Sequence, residues 1–242
     1  MRIILTIESK YGPHACHFVC CAAPQGGPRA LGRPGGTQDM PLMTDFIYLA
    51  SQSPRRSQLL DQMGVRHKLL LADADEDAES LEVQLRSEAP KTYVQRVTGL
   101  KLDAALNRMG RRKLQPAPVL CADTTVALGR TIFGKPEDAE DAKRMLRALA
   151  NRPHRVMTAI ALGWEHGQAQ ACSESWVTFA DMSEADIAAY VATGEPMGKA
   201  GAYAVQGVAA AHIAHMSGSY SGIMGLPLFE TAQALRSIGF AL

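Results

Sequence analysis

Residues 46–64 read FIYLASQSPRRSQLLDQMG, a short apolar run followed by a polar turn and an amphipathic stretch. The run FIYLAS is apolar and favours a β-strand. Ser53 can then cap a helix that has Pro54 in its first position, and Gly64 can end that helix. A strand that leads directly into a helix is the basic unit of an α/β protein.

Two arginines stand at the start of this helix, where cations are not expected. The free N–H groups of a first turn already carry partial positive charge, which disfavours Arg55 and Arg56 there. A bound anion would remove the conflict, because the N–H groups, the Ser53 hydroxyl and both guanidinium groups could face it. Alternatively, both arginines lie on a solvated surface. The strand-to-helix position favours the anion site, since α/β sheets bind ligands at the carboxyl ends of strands.

The rest of the chain continues to alternate strands with helices. Its spacing predicts helices over 92–106, 136–150, 183–194 and 227–240. The inner face of the first is expected to hold Tyr93, Val97, Leu100 and Ala104, and that of the second Ala142, Met145, Leu146 and Leu149. The third should begin with a capping box from Ser183 to Asp186. Strands are predicted over 118–128, 154–162 and 173–181, and the turn-like EHGQ joins the last two into a hairpin. The pattern predicts an α/β protein with a mixed sheet.

Composition narrows the class of protein. The chain has 242 residues and a formal net charge of +1, and only 6% of its residues are aromatic, so a nucleic-acid partner is not expected. It has no apolar run of the roughly 18 to 20 residues that a membrane-spanning helix needs. Its five cysteines are odd in number and do not form a disulfide framework. We expect a cytoplasmic protein that binds neither nucleic acid nor membrane.

Residues 1–43 differ in composition from the rest of the chain. They are rich in Gly and Pro and hold no lasting helical or strand period. Such a segment buries too little apolar surface to offset its chain entropy. We therefore predict a disordered leader over 1–43, part of it an artefact of start-site choice, ahead of one domain over 44–242.

A carboxylate interrupts the apolar strand CADTTV (121–126). Asp123 would cost several kcal/mol if it were buried without a partner, so a metal ion, a cation or a water to be activated would relieve it. Alternatively, it is a strand-end aspartate bonded to nearby backbone N–H groups. FGKP (133–136) places Lys135 before a predicted helix start, which repeats the pattern of the two arginines. The acidic run DADEDAES (73–80) lacks the glycine of a calcium loop but could supply a metal ligand through Glu76.

Six motifs in this order resemble the Maf family of nucleotide pyrophosphatases: LASQSPRRSQLL, YVQRVTGLK, ADTTV, FGKP, TGEPMGKAGAYAVQG and GSYSGIMGLPLFET. The resemblance covers about 46–235. It implies a strongly twisted mixed central sheet with flanking helices and two lobes around a cleft, as in inosine-triphosphatase-like proteins. It also implies hydrolysis of a nucleoside triphosphate to the monophosphate and pyrophosphate with a divalent metal, Mg²⁺ or Mn²⁺, and a homodimer by family analogy.

The resemblance assigns roles to individual residues. Asp123 matches the family's catalytic aspartate, as general base or metal ligand. Glu76 matches an acidic residue placed near the metal. Arg56, Lys101 and Lys135 match cations that hold phosphates.

Three further positions sort the branches of the family. Here they are Arg55, Thr124 and Gln206, a trio that resembles the branch acting on dTTP and UTP, whereas the branch favouring 7-methyl-GTP carries Trp, Ser and Glu. One departure is Gly198, where members usually have Asp, so we expect lower activity or a looser loop. The leader also lies outside the family pattern.

The resemblance leads to a hypothesis of metal-assisted attack of water on the α-phosphorus, with pyrophosphate leaving. Two alternatives stay open. One is a sanitising pyrophosphatase with the same chemistry and a different base preference. The other is a catalytically weak nucleotide-binding regulator of cell division, in which the same pocket only binds.

Overall fold

The computed structural model of the protein describes residues 6–8, 44–73, 76 and 80–242. The predicted leader over 1–43 lies outside these residues, apart from Thr6–Glu8, which form a short strand. The other described residues all fall within 44–242, and the division into a leader and one domain stays a prediction.

Within the described residues the chain forms eight strands and six α-helices. The strands are β1 (Thr6–Glu8), β2 (Ile47–Leu49), β3 (His67–Leu69), β4 (Val119–Leu128), β5 (Thr131–Phe133), β6 (Pro153–Trp164), β7 (Gly167–Phe179) and β8 (Ile213–Ser217). The helices are α1 (Pro54–Gln62), α2 (Pro90–Arg111), α3 (Ala139–Leu149), α4 (Glu184–Ala192), α5 (Tyr220–Met224) and α6 (Leu228–Ser237). In this described part, none of the helices has both the length and the apolar character needed to cross a bilayer.

All strands join one mixed sheet in the order β1-β7-β6-β4-β2-β3, with β5 paired to β4 and β8 paired to β7. Strand β2 runs parallel to β3 and β4, while β4, β6 and β7 pair antiparallel in succession. The predicted mixed sheet and the predicted hairpin, now β6 and β7, are both confirmed.

Side chains that alternate along β2 fill two different layers. Ile47 and Leu49 pack with Leu59 and Leu60 of α1 on one face of the sheet. Tyr48 points the opposite way and packs with Leu102 of α2. This is the period of two expected for a strand that is buried on both faces.

A separate hydrophobic core lies at the other end of the long strands, where α3 and α4 pack. Strand β4 contributes Leu120 to the core beside α1 and α6, and Val126 to the core beside α3 and α4. The partly buried residues Asp123 and Thr124 lie between these two apolar ends. The molecule thus has two packed lobes that share a sheet, with polar side chains at their junction.

Local signals set the helix ends well in some cases and poorly in others. The predicted capping box of α4 is present, with the Ser183 hydroxyl and the Asp186 carboxylate each accepting from the other's backbone N–H. At α1, Pro54 takes the first position as predicted, but the Ser53 side chain makes no capping hydrogen bond.

The predictions for α2 and α3 need correction. Helix α3 begins at Ala139 rather than at Pro136, because the Asp138 carboxylate accepts from the backbone N–H of Asp141 at 2.8 Å and caps the helix there. In α2, Leu100 is 37% exposed, so it does not belong to the buried face. The buried residues of α2 include the predicted Val97 together with Val94, Thr98, Leu102 and Ala105.

Candidate active site

A cleft of about 960 Å³ opens at the junction of the two lobes, beside the middle of β4. All nine residues predicted for the site line it: Ser53, Arg55, Arg56, Glu76, Lys101, Asp123, Thr124, Lys135 and Gln206. The structure therefore brings together side chains from positions that are far apart in the sequence. Their individual roles stay predictions.

Lys101 joins two carboxylates in the cleft. Its Nζ atom donates to Asp123 Oδ1 at 2.5 Å and to Glu82 Oε1 at 2.7 Å. Burial alone would lower the pKa of Lys101, but the charges of Asp123 and Glu82 outweigh it and raise that pKa. Asp123 thus has a cationic partner, which offsets the desolvation cost expected for a carboxylate in an apolar strand.

Glu82 is a site residue that the sequence did not reveal. It lies on a short 3₁₀ turn, Ser80–Glu82, and its Oε2 atom is 3.8 Å from Lys135 Nζ. The Tyr93 hydroxyl donates to the Glu82 carbonyl at 2.8 Å and fixes the turn against α2. Burial would raise the pKa of Glu82, but Lys101 outweighs it and lowers that pKa. Glu82 therefore links two of the cations predicted to hold phosphates.

Arg56 is held by three protein acceptors. Its Nε atom donates to the carbonyl of Gly225 at 2.8 Å, Nη1 to Ser51 Oγ at 2.9 Å and Nη2 to Thr124 Oγ1 at 3.4 Å. Burial lowers the pKa of Arg56, although the nearby Asp123 opposes this change. The guanidinium group is thus fixed in direction and is only partly solvated, as suits recognition of a phosphate.

Gln206 lies in a loop that Glu195 organises. The Glu195 carboxylate accepts from the Tyr190 hydroxyl at 2.8 Å and from the Val208 N–H at 2.8 Å. A Cβ atom at Gly207 would lie 2.2 Å from Glu195 Oε2, so only glycine allows this approach. The side chain of Gln206 is exposed at the edge of the cleft.

Glu76 lines the cleft, but its carboxylate is already engaged. Arg108 Nε donates to its two oxygens at 3.0 and 3.1 Å, and Arg111 Nη2 donates to Oε1 at 2.5 Å. The hydrogen bond from Arg108 is the main reason that the pKa of Glu76 falls to about 2. Glu82, rather than Glu76, shares a lysine with Asp123.

Lys135 differs from expectation in its surroundings, and Gly198 is where the chain departs from the family pattern. Lys135 is 59% exposed, and it lies four residues before the start of α3, so the dipole of that helix does not act on it directly. Gly198 has φ +72° and its missing Cβ would face open space. Aspartate tolerates that left-handed conformation better than most residues, so the fold leaves room for the acid usual in the family.

The sequence profile described as "Maf-like protein" matches residues 46–238. The chain belongs to the Maf family. This Maf protein is 69% identical over 198 residues to the dTTP/UTP pyrophosphatase of Albidiferax ferrireducens, a match that covers 82% of this chain and 99% of the relative. It is 61% identical over 198 residues to the dTTP/UTP pyrophosphatase of a Polaromonas species, covering 82% of this chain and 98% of the relative.

Solved structures with likeness to this Maf protein include a nucleoside-triphosphatase, or dITP/XTP pyrophosphatase, from Mycobacterium abscessus. The two chains are 14% identical with a TM-score of 0.34, and the match covers 56% of this chain and 75% of that chain.

Proposed function

We propose that this Maf protein hydrolyses dTTP and UTP to the nucleoside monophosphate and pyrophosphate. The observation that carries the proposal is the convergence of Asp123, Lys101, Arg56 and Lys135 on one cleft. These three cations outnumber the two acids that contact them, Asp123 and Glu82, which suits a substrate that brings its own negative charge. The pyrimidine preference is supported by relatives whose names specify dTTP and UTP.

The roles proposed for the side chains are based on their contacts. Asp123 takes the proton of the water that attacks the α-phosphorus, and the bond from that phosphorus to the bridging oxygen breaks as pyrophosphate leaves. Arg56, Lys101 and Lys135 hold the phosphates and offset the charge that grows on the leaving group. Ser53 lines the same part of the cleft and is proposed to bind a phosphate oxygen.

The carboxylates in the cleft fit a divalent ion, Mg²⁺ or Mn²⁺. Asp123 and Glu82 both approach one cation, Lys101 Nζ, and carboxylate oxygens are the ligands these metals prefer. When bound, such an ion would offset phosphate charge and lower the pKa of a coordinated water. Among the described residues no three His, Cys, Asp or Glu side chains form a metal cluster, so substrate oxygens and water would complete the ligand shell.

Glu76 is the second carboxylate predicted near the metal. Its oxygens would have to leave Arg108 and Arg111 before they could bind an ion. Asp123 and Glu82 need no such rearrangement of a buried arginine, and we therefore propose them as the metal-holding pair.

The proposed base-reading positions are Arg55, Thr124 and Gln206, which line the same cleft. A pocket built to hydrogen-bond one base leaves buried groups unpaired with the wrong one, which discriminates strongly. The alternatives are a sanitising pyrophosphatase with another base preference and a nucleotide-binding regulator without turnover.

A nucleotide panel separates these possibilities. The purified chain is incubated with Mg²⁺ or Mn²⁺ and with dTTP, UTP, CTP, GTP, ITP or 7-methyl-GTP, and the products are resolved by ion-exchange chromatography. We expect monophosphate and pyrophosphate from dTTP and UTP at the highest kcat/KM. Preference for ITP would favour the sanitising enzyme, and tight UTP binding without products would favour the regulator.

Cytoplasmic location, a homodimer and the lack of a nucleic-acid partner remain predictions from the sequence. Light scattering coupled to size-exclusion chromatography measures the mass of the particle directly. A dimer mass is expected, and a monomer mass would contradict the analogy with the family.

A further inference from the structure

Thr158 lies behind the cleft, next to residues proposed to contact the substrate. It is on β6 directly opposite Thr124 of β4, and it is 1% exposed. Its Oγ1 atom is 2.9 Å from Thr124 Oγ1 and 2.7 Å from the carbonyl oxygen of Gly222. Thr124 Oγ1 in turn lies 3.4 Å from Arg56 Nη2. Gly222 lies in α5, and Gly225 follows the end of that helix, so the two belong to its last turn, the Gly222–Gly225 turn. Four groups thus form an unbroken hydrogen-bond chain from this turn to Arg56.

Only one direction of donation is consistent with these contacts. A carbonyl oxygen can only accept, so Thr158 must give its single hydroxyl proton to Gly222. Thr124 must then donate its own proton to Thr158, since Thr158 has none left for it. The lone pairs of Thr124 consequently face Arg56, whose guanidinium group can only donate.

Arg56 is tied to the same turn by a second route. Its Nε atom donates to the carbonyl of Gly225, three residues after Gly222. Thr158 therefore holds two acceptors of Arg56 in place. One is the Gly225 carbonyl in the Gly222–Gly225 turn, and the other is the Thr124 hydroxyl. Both contacts restrict the plane of the guanidinium group, and a planar fork is effective on phosphate only when that plane is correct.

We infer that Thr158 is a positioning residue for the reaction, acting through Thr124 and the Gly222–Gly225 turn to aim Arg56 at the phosphates of the substrate. The inference rests on the proposed function, in which Arg56 holds a phosphate. It also assigns the Thr124 proton to Thr158, so any contact of Thr124 with the base uses its methyl group or an oxygen lone pair. The effect of Thr158 itself is exerted on the phosphate side.

Inorganic tripolyphosphate tests this, because it has the phosphate chain without a base. Binding to wild type, Thr158→Val and Thr158→Ser is measured by calorimetry. Misorientation of the Arg56 guanidinium group should cost about one charge-assisted hydrogen bond to a phosphate. Thr158→Val should therefore weaken tripolyphosphate binding about tenfold. Thr158→Ser keeps the hydroxyl and should bind as wild type does. Unchanged binding by Thr158→Val, or failure of the serine variant to restore it, overturns the inference.

A matched control removes a buried hydroxyl elsewhere. Thr231 is fully buried on α6, and its hydroxyl donates to the carbonyl of Pro227 at 2.8 Å. Thr231→Val should lower the melting temperature yet leave tripolyphosphate binding unchanged. Equal weakening by Thr231→Val would show a general loss of structure and would overturn the specific role of Thr158.

Kinetics with nucleotides distinguish the phosphate side from the base side. Thr158→Val should reduce kcat/KM by the same factor for UTP and CTP. The Thr124→Val/Thr158→Val double variant should lose less than the product of the two single losses, because in it Thr158 acts only through the Gly222–Gly225 turn. A change in the ratio of kcat/KM for UTP to that for CTP, or fully additive losses in the double variant, would contradict the hydrogen-bond chain from Gly222 to Arg56. If wild type hydrolyses no nucleotide, the proposed function fails, while the tripolyphosphate titration still decides the role of Thr158.

Discussion

Lys101 lets two carboxylates lie close together in one cleft. Asp123 and Glu82 would repel each other there, but the ammonium group contacts an oxygen of each. The same side chains fit both a phosphate-binding and a metal-binding role, because a divalent ion would neutralise the two carboxylates and leave the ammonium group of Lys101 for a phosphate. Glu82, which sequence patterns did not reveal, is therefore proposed to contribute to the site alongside Asp123.

Substitution of the two candidate acids separates their roles. Glu82→Gln should weaken Mn²⁺ binding about tenfold or more, measured by electron paramagnetic resonance without substrate, because it removes a charged ligand beside Asp123. Glu76→Gln should leave Mn²⁺ affinity unchanged, since Arg108 and Arg111 hold that carboxylate. It should instead destabilise the fold by about 1–3 kcal/mol, because the charge of the largely buried Arg108 loses its ionic partner. The reverse result would reinstate Glu76 as the metal ligand.

At the scale of elements, the loop that carries Gln206 depends on one glycine. A methyl group at Gly207 would lie 2.2 Å from Glu195 Oε2 and force that carboxylate away from the Val208 N–H and the Tyr190 hydroxyl. Gly207→Ala should therefore displace Gln206, and we expect KM for UTP to rise about tenfold, because a misplaced contact loses binding energy.

Gly110→Ala is the matched control for that substitution. It lies within α2, and its added methyl group would meet nothing within 4 Å, so the kinetics should not change. Unaltered steady-state kinetics for Gly207→Ala would show that Glu195 does not set the position of the loop.

Elements with local signals were predictable from the sequence. The capping box of α4 and the buried stripe of α3 arise from residues within a few positions of each other, and both match the structure. Lys135 was placed too near a helix start because the Asp138 cap competes with Pro136. The contacts that define Arg56 could not be predicted, because Gly225 lies 169 residues away in the chain and offers only a backbone carbonyl.

At the scale of the whole molecule, His154 makes stability depend on pH. It is fully buried on β6, where Nε2 accepts from the Tyr203 hydroxyl at 2.9 Å and Nδ1 donates to the carbonyl of Arg152 at 3.3 Å. Burial lowers the pKa of His154 from 6.5 to about 4. Between about pH 6.5 and pH 4, His154 therefore binds a proton in the unfolded chain but not in the folded protein.

The free energy of unfolding should consequently fall as pH is lowered through this window. The contribution of His154 is roughly 3 kcal/mol over the full range, measured by urea titration at several pH values. His154→Gln should flatten this part of the profile. His166→Gln removes an exposed histidine and should not. If the free energy of unfolding changes with pH equally in wild type and His154→Gln, His154 binds its proton as readily in the folded protein as in the unfolded chain.

The measurement that tests the central claim most directly is hydrolysis of UTP in ¹⁸O-labelled water with Mg²⁺, followed by mass spectrometry of both products. Attack on the α-phosphorus with Asp123 as base predicts one ¹⁸O atom in UMP and none in pyrophosphate, and a rate at least about a hundredfold lower for folded Asp123→Asn. Label in pyrophosphate or free phosphate, or most of the wild-type rate in Asp123→Asn, would contradict the account.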